Sequence, residues 1–128
     1  MTQHLHNEKA PKPVASYSQA VRTGDLVFVS GQIPIDKSSG ELVAGSIEEA
    51  TTTSLNNVKT VLEAAGLGLE NVIKASVFLI NKDDYAGMDR VYADIMSEPF
   101  PAREAVFVAG LPKGARIEIS VIASSKRS

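Results

Sequence analysis

Cysteine is absent from the 128 residues, which removes disulfides, thiolate nucleophiles and any Cys-ligated zinc or iron–sulfur centre. His4 and His6 are the only imidazoles, and both fall in an N-terminal stretch that reads as a frayed end, so neither Ser-His catalysis nor a metal site is expected. Tryptophan is also missing. With three tyrosines, four phenylalanines and a net charge of −2, the chain lacks the basic and aromatic density of a dedicated nucleic-acid surface. Lys113, Arg116 and the terminal "KRS" make at most a small basic patch, the kind of cluster that a solvated face carries. No apolar run approaches the roughly 20 residues of a bilayer-spanning helix. The opening "MTQHLHNEKAPKP" has neither the apolar core of a secretory signal nor the arginines of a transit peptide, so the expected compartment is the cytosol. Phosphate-loop, dinucleotide and zincin patterns are absent, and the glycines of "AAGLGLE" follow a helix, where they serve as cap and turn residues.

What is present is a single domain's worth of pattern over 1–128, with 1–12 read as a loose lead-in. "SIEEATTTSLNNVKTVLEAAG" joins a Ser46/Glu49 capping box to apolar residues at helical spacing, Ile47, Ala50, Leu55, Val58, Val61, Leu62 and Ala65, and stops at Gly66. A second helix is predicted from Asp83 or Asp84 through "YAGMDRVYADIM", with Tyr85, Met88, Tyr92, Ile95 and Met96 inward and Pro99 and Pro101 as its stop. Strands are predicted at "YSQAVRTG", "DLVFVSG", "NVIKASVFLI", "AREAVFVAG" and "ARIEISVIAS". Thr23-Gly24-Asp25 turns the first pair, and "LPKG" is short enough to make a hairpin of the last pair. The resulting order, β-β-α-β-α-β-β, predicts an α+β fold with a mixed sheet and both helices on one face. Ala75, Val77 and Leu79 alternate with Ser76, Phe78 and Ile80, so both sides of that strand are apolar; two helices cover one, and another copy of the chain is the economical cover for the other.

Five residues embedded in or beside these strands are candidates for chemistry, and each has a plain structural alternative. Ser30 in "VSGQIP" can simply close a strand before Gly31, and Gly31 serves either a positive φ or the close approach of a ligand or another backbone. Glu118 in "RIEISV" shares a face with Arg116 and Ser120, as a surface residue would. Arg103 can snorkel from a strand end and pair with Glu104. Tyr17 is either a core aromatic with a wet tip or a hydrogen-bond donor to a ligand. The chemical reading joins them: a guanidinium fork anchors the carboxylate of an acid substrate, and a half-shielded Glu118 orients or deprotonates water, which needs neither metal nor cofactor. Strand parity leaves open whether Arg103 and Glu118 share a side of the sheet.

The ordered set "YSQAV", "VFVSGQIPID", "SLNNVKTVLEAAG", "VIKASVFLI", "FPAR" and "RIEISVIA", from about Pro11 to Ala123, resembles the Rid (YjgF) family of imine deaminases. The resemblance implies a chorismate-mutase-like α+β fold, assembled as a homotrimer around a central barrel with sites between subunits. It further implies cofactor-independent hydrolysis of 2-iminobutanoate, 2-iminopropanoate and related enamine or imino acids to 2-oxo acids and ammonia. Arg103 falls on the family's carboxylate-binding arginine and Glu118 on its water-handling acid, while Tyr17, Ser30 and the backbone of Gly31 and Ala105 fall on the pocket lining. Asp89 stands where an asparagine is common, which places a negative charge near an anionic substrate. "VAS" replaces a usual Gly-Pro before Tyr17, Ala105 replaces a frequent cysteine, and the 97–101 connection is short. Relatives are also labelled endoribonucleases or translation inhibitors, and a non-catalytic metabolite-binding or chaperone-like trimer is a further alternative; mitochondria are a second compartment in which the family occurs.

Overall fold

Ser46 and Glu49 form the reciprocal cap predicted of them: the Ser46 hydroxyl accepts from the Glu49 amide at 3.1 Å, and Glu49 Oε1 accepts from the Ser46 amide at 3.0 Å. They start helix α1, Ile47–Glu63, in a computed structural model that describes residues 2–126. Arg127 and Ser128 of the expected basic tail lie outside the described residues. Past the helix end, Gly66 takes a φ of 71° while the Leu67 amide reaches back to the Leu62 carbonyl at 3.1 Å. Leu55, Val58, Val61 and Leu62 are fully buried on the inner face, each contributing on the order of 1.5–3 kcal/mol of apolar transfer. Helix α2, Tyr85–Met96, packs beside α1 and buries Met88, Tyr92 and Met96. Tyr85, expected inward with them, is instead exposed, because it opens the helix and its phenol is engaged by Arg103.

Six strands make one sheet: β1 Thr2–Leu5, β2 Ala20–Thr23, β3 Leu26–Gln32, β4 Val72–Leu79, β5 Ala102–Phe107 and β6 Ile117–Ser124, in the order β1-β2-β3-β6-β4-β5. Every pairing is antiparallel except β4–β5, which the α2 crossover makes parallel. Two expectations are corrected here. The N-terminus is no loose lead-in: Thr2–Leu5 pairs with β2, and the segment behind it is tied down by buried Gln19. Gln19 Oε1 accepts from the Asn7 amide at 2.7 Å, its Nε2 donates to the Pro11 carbonyl at 3.0 Å, and Asn7 Nδ2 donates to the Thr60 carbonyl at 2.6 Å. The last two strands form no hairpin. They flank β4 on opposite sides, and the connection through Pro112–Gly114 is long enough to step over one intervening strand at about 4.8 Å per strand spacing.

Register assigns the faces. Val27 and Val29, Ala75, Val77 and Leu79, and Ile117, Ile119, Val121 and Ala123 are buried under the two helices. The other face carries Phe28, Phe78, Val106 and Ile122 with Ser76, Ser120 and Glu118, and Phe28 and Val106 are each 42% exposed. No helix among the described residues is long and apolar enough to cross a membrane.

Candidate functional site

Glu118 occupies the open face of β6, opposite a break in the β3 ladder. Between Val29 and Gln32 the β3–β6 register shifts, and the irregularity brings Gly31 beneath the Glu118 carboxylate. A Cβ at Gly31 would lie 1.9 Å from Glu118 Oε2, so glycine is what lets the carboxylate lie this close; its φ is not in the left-handed region. Burial alone pushes the Glu118 carboxyl above the ordinary glutamate range, and among the described residues no hydrogen bond or neighbouring charge pulls it back. The surrounding cleft, about 310 Å3, is lined by Tyr17, Ser30, Gly31, Ile33, Pro112 and Glu118 among others.

The supporting contacts are local. The Ser30 hydroxyl donates to the Ser18 carbonyl at 2.7 Å, so its lone pairs remain for a ligand. Strand β3 runs on to Gln32 rather than closing at Ser30. Tyr17 lies in the loop before β2, its exposed ring facing the cleft and its phenol oxygen accepting from the Val14 amide at 3.2 Å. Asn57, buried on α1, donates from Nδ2 to the carbonyls of Ile35 at 3.0 Å and Ile33 at 3.3 Å, which ties the cleft rim to the core. Arg116 does not join Glu118 or a basic patch. Its guanidinium turns to buried Asp84, with Nη2 to Oδ1 at 2.7 Å and Nε to Oδ2 at 3.3 Å, and Nη1 donates to the Gly45 carbonyl.

Arg103 has partners of its own. Nη1 donates to Asp89 Oδ1 at 2.8 Å and Nη2 to the Tyr85 hydroxyl at 2.7 Å, while its Cζ lies 4.8 Å from the centroid of the Tyr92 ring. Burial opposes its charge, but the Asp89 hydrogen bond and the nearby phenols outweigh that, and its pKa ends above the usual arginine value. Glu104, the plain alternative partner, instead accepts from Ser76 at 2.6 Å and pairs with Lys74 at 3.3 Å. These bonds, Ser76 first, hold its carboxyl below the usual range. Tyr92 is buried with an unpartnered hydroxyl, and burial pushes its phenol up.

The seven expected residues thus form two groups. Tyr17, Ser30, Gly31 and Glu118 meet at the cleft; Arg103 and Asp89 meet beside α2, with Ala105 two residues along β5. Arg103 aligns with Ala75, and through it with Val121, on the helix-covered face; Glu118 aligns with Phe78 and Val106 on the open face. One chain therefore does not bring Arg103 and Glu118 together. Tyr85 and Tyr92 escaped the sequence reading as Arg103 partners, although their spacing with Asp89, i, i+4, i+7, places all three along one side of α2.

Residues 7–125 match the family model described as Endoribonuclease L-PSP. A RutC family protein of Pyrococcus horikoshii is 48% identical over 123 residues, 96% of this chain and 98% of that one. The human protein named 2-iminobutanoate/2-iminopropanoate deaminase is 43% identical over 119 residues, 93% of this chain and 87% of its own length. The crystal structure of RidA from an Antarctic Psychrobacter superposes with a TM-score of 0.92 at 41% identity, covering 95% of this chain and 98% of that one.

Proposed function

The chain belongs to the endoribonuclease L-PSP family, the Rid group its sequence resembles, and on that basis we propose that it hydrolyses 2-imino acids, 2-iminobutanoate and 2-iminopropanoate among them, to 2-oxo acids and ammonia without a cofactor. The observation that carries this reading is the Glu118 carboxylate, half-buried, unpartnered and held over Gly31 in a cleft with Tyr17 and Ser30. Such a carboxylate is a general base in waiting. It takes a proton from a water molecule; the oxygen bonds to the imine carbon as the C=N π pair moves to nitrogen. Protonation of that nitrogen then expels ammonia while C=O forms, and one water is consumed for each ammonia released. Imines already hydrolyse in water, so positioning and electrostatics suffice for the acceleration.

Arg103 anchors the substrate carboxylate through the donors that Asp89 and Tyr85 leave free. Because it lies on the opposite face from Glu118, each site draws Arg103 from one copy and Glu118 from its neighbour. Three copies in a closed ring bury Phe28, Phe78, Val106 and Ile122 and complete the pocket with the Ala105 backbone.

The test is complementation. Arg103→Ala and Glu118→Gln chains are purified as inactive trimers, mixed under mild dissociating conditions and reassociated, and 2-oxo acid release is followed in a coupled assay with a pyridoxal-phosphate dehydratase. Random mixing of equal amounts leaves about a quarter of the sites with both residues intact, so about a quarter of wild-type activity returns. A mixture that co-assembles yet stays inactive overturns the shared site, and a wild type that leaves imine hydrolysis at its uncatalysed rate overturns the activity.

A further inference from the structure

Asp89 occupies one edge of the group proposed to anchor the substrate. Its Oδ1 accepts from Arg103 Nη1 at 2.8 Å, and the pair is asymmetric in burial: the Arg103 side chain is 19% exposed and that of Asp89 49%. The guanidinium, sandwiched near the rings of Tyr85 and Tyr92, stays in place, while half of the Asp89 carboxylate faces outward. Arg103 has five N–H donors and gives two of them to Asp89 and Tyr85, so an edge remains for a ligand. A carboxylate docking there is attracted by one positive charge and repelled by a negative charge a few ångströms further on. The anchor is close to neutral as a unit.

Geometry alone does not require that charge. An asparagine at 89 keeps an oxygen acceptor for Nη1 and preserves the fork, so the charge of Asp89 is separable from its hydrogen bond. Its consequence falls on the ligand. An acid whose neighbouring atom carries a cationic nitrogen meets attraction from Asp89 that offsets the repulsion of its carboxylate, whereas a 2-oxo acid of the same size has nothing to offset it.

We propose that Asp89 is a specificity-determining residue that makes the Arg103 anchor favour acids bearing a cationic nitrogen beside the carboxylate, iminium and ammonium acids, over 2-oxo acids of the same size. The proposal rests on the reading of Arg103 as the carboxylate anchor. Under the proposed activity it gives Asp89 a use: the iminium substrate is retained and the 2-oxo product, which differs from it by one positive charge, is let go.

Two stable ligands of matched size, 2-oxobutanoate and 2-aminobutanoate, are titrated by NMR or calorimetry into the intact wild type, Asp89→Asn and Asp89→Ser at low ionic strength. Asp89→Asn is expected to tighten 2-oxobutanoate by about three- to tenfold, a range set by partial solvent screening of the pair, and to leave 2-aminobutanoate unchanged or weaker. The gain shrinks at high salt, and Asp89→Ser shows the same direction if the asparagine variant folds poorly. Equal or weaker 2-oxobutanoate binding by both variants, with binding still abolished in Arg103→Ala, overturns the role of Asp89 and leaves the anchor standing. If Arg103→Ala binds 2-oxobutanoate as the wild type does, or neither wild type nor variants bind it, the anchor and the proposal fall together.

Discussion

Gly31→Ala separates stability from chemistry at this site. The added methyl would begin 1.9 Å from Glu118 Oε2, 2.6 Å from its Cδ and 2.9 Å from its Cγ, and all three nearest atoms belong to that one side chain. The backbone at 31 is not in the left-handed region, so alanine carries no conformational penalty there. Relief comes from the carboxylate, which has to retreat by about 1.5 Å to reach an ordinary contact of 3.4 Å. Swinging the end of a half-exposed glutamate costs little, and the melting temperature should stay within a few degrees of wild type, equivalent to about 1 kcal/mol or less. Displacing a general base by more than 1 Å is a different matter, costing on the order of 10²-fold in turnover. The coupled dehydratase assay gives kcat and circular dichroism gives the melting curve. Turnover within twofold of wild type would refute the placement of Glu118 as the base, and a loss of stability beyond about 3 kcal/mol would show that the backbone rather than the carboxylate absorbs the clash.

Four further outcomes follow from the same structure. Arg116→Ala strands the Asp84 carboxylate, whose side chain is 7% exposed, and should lower stability by about 2–3 kcal/mol in thermal melts, below the fully buried case because Arg116 itself is half exposed. Glu118→Gln should be more heat-stable than wild type at neutral pH: burial raises the folded-state pKa, so the favourable contribution is present below the unfolded value and lost as pH rises through the folded one, and the two melting curves should converge in acid. Because the base must be ionised, wild-type turnover should climb with pH through that raised value, and an acid limb confined to the ordinary glutamate range would count against the assignment. Phe28→Asp, which puts a charge in the middle of the open face, should shift the chain to a smaller species in light scattering and abolish activity with it; a fully active assembly of wild-type size would remove that face from the proposed interface.

Helix α1 was readable in full because everything that makes it is local: a cap spanning Ser46 to Glu49, an apolar stripe, and a glycine at the stop. Strands β2 to β6 were readable as strands for the same reason, but their neighbours were not. Whether the chain after Phe107 turns back beside β5 or steps across β4 is decided by which edge of β4 is already occupied, and no local pattern reports that. The N-terminal strand was missed because its hold comes from pairing with β2 and from the bonds of Gln19 and Thr60 to Asn7 behind it, all remote in sequence. The plain alternative for Arg103, a pairing with Glu104, rested on proximity in sequence, and the actual partner is Asp89. Glu104, adjacent to it, points to the opposite face, as successive strand residues must, while Asp89 reaches it from α2.

The open face itself argues for assembly. A solvent-facing sheet would alternate out polar residues, and here Phe28, Phe78, Val106 and Ile122 stand on it; a fully buried core would have no place for Glu118 without a partner, and here its carboxyl has none. Only an interface containing a water-holding gap suits both. Its apolar residues would supply the association energy, and the gap they leave around Glu118 would let water meet a base whose pKa burial in its own chain already raises. Arg103 lies across the sheet from that gap in its own chain, so under the proposed function a neighbour supplies the anchor. On this reading the division of the two charges between faces is what couples activity to assembly: a monomer keeps an unpartnered base and an anchor neutralised by Asp89, and only the ring brings a substrate's carboxylate and its imine carbon within reach of both.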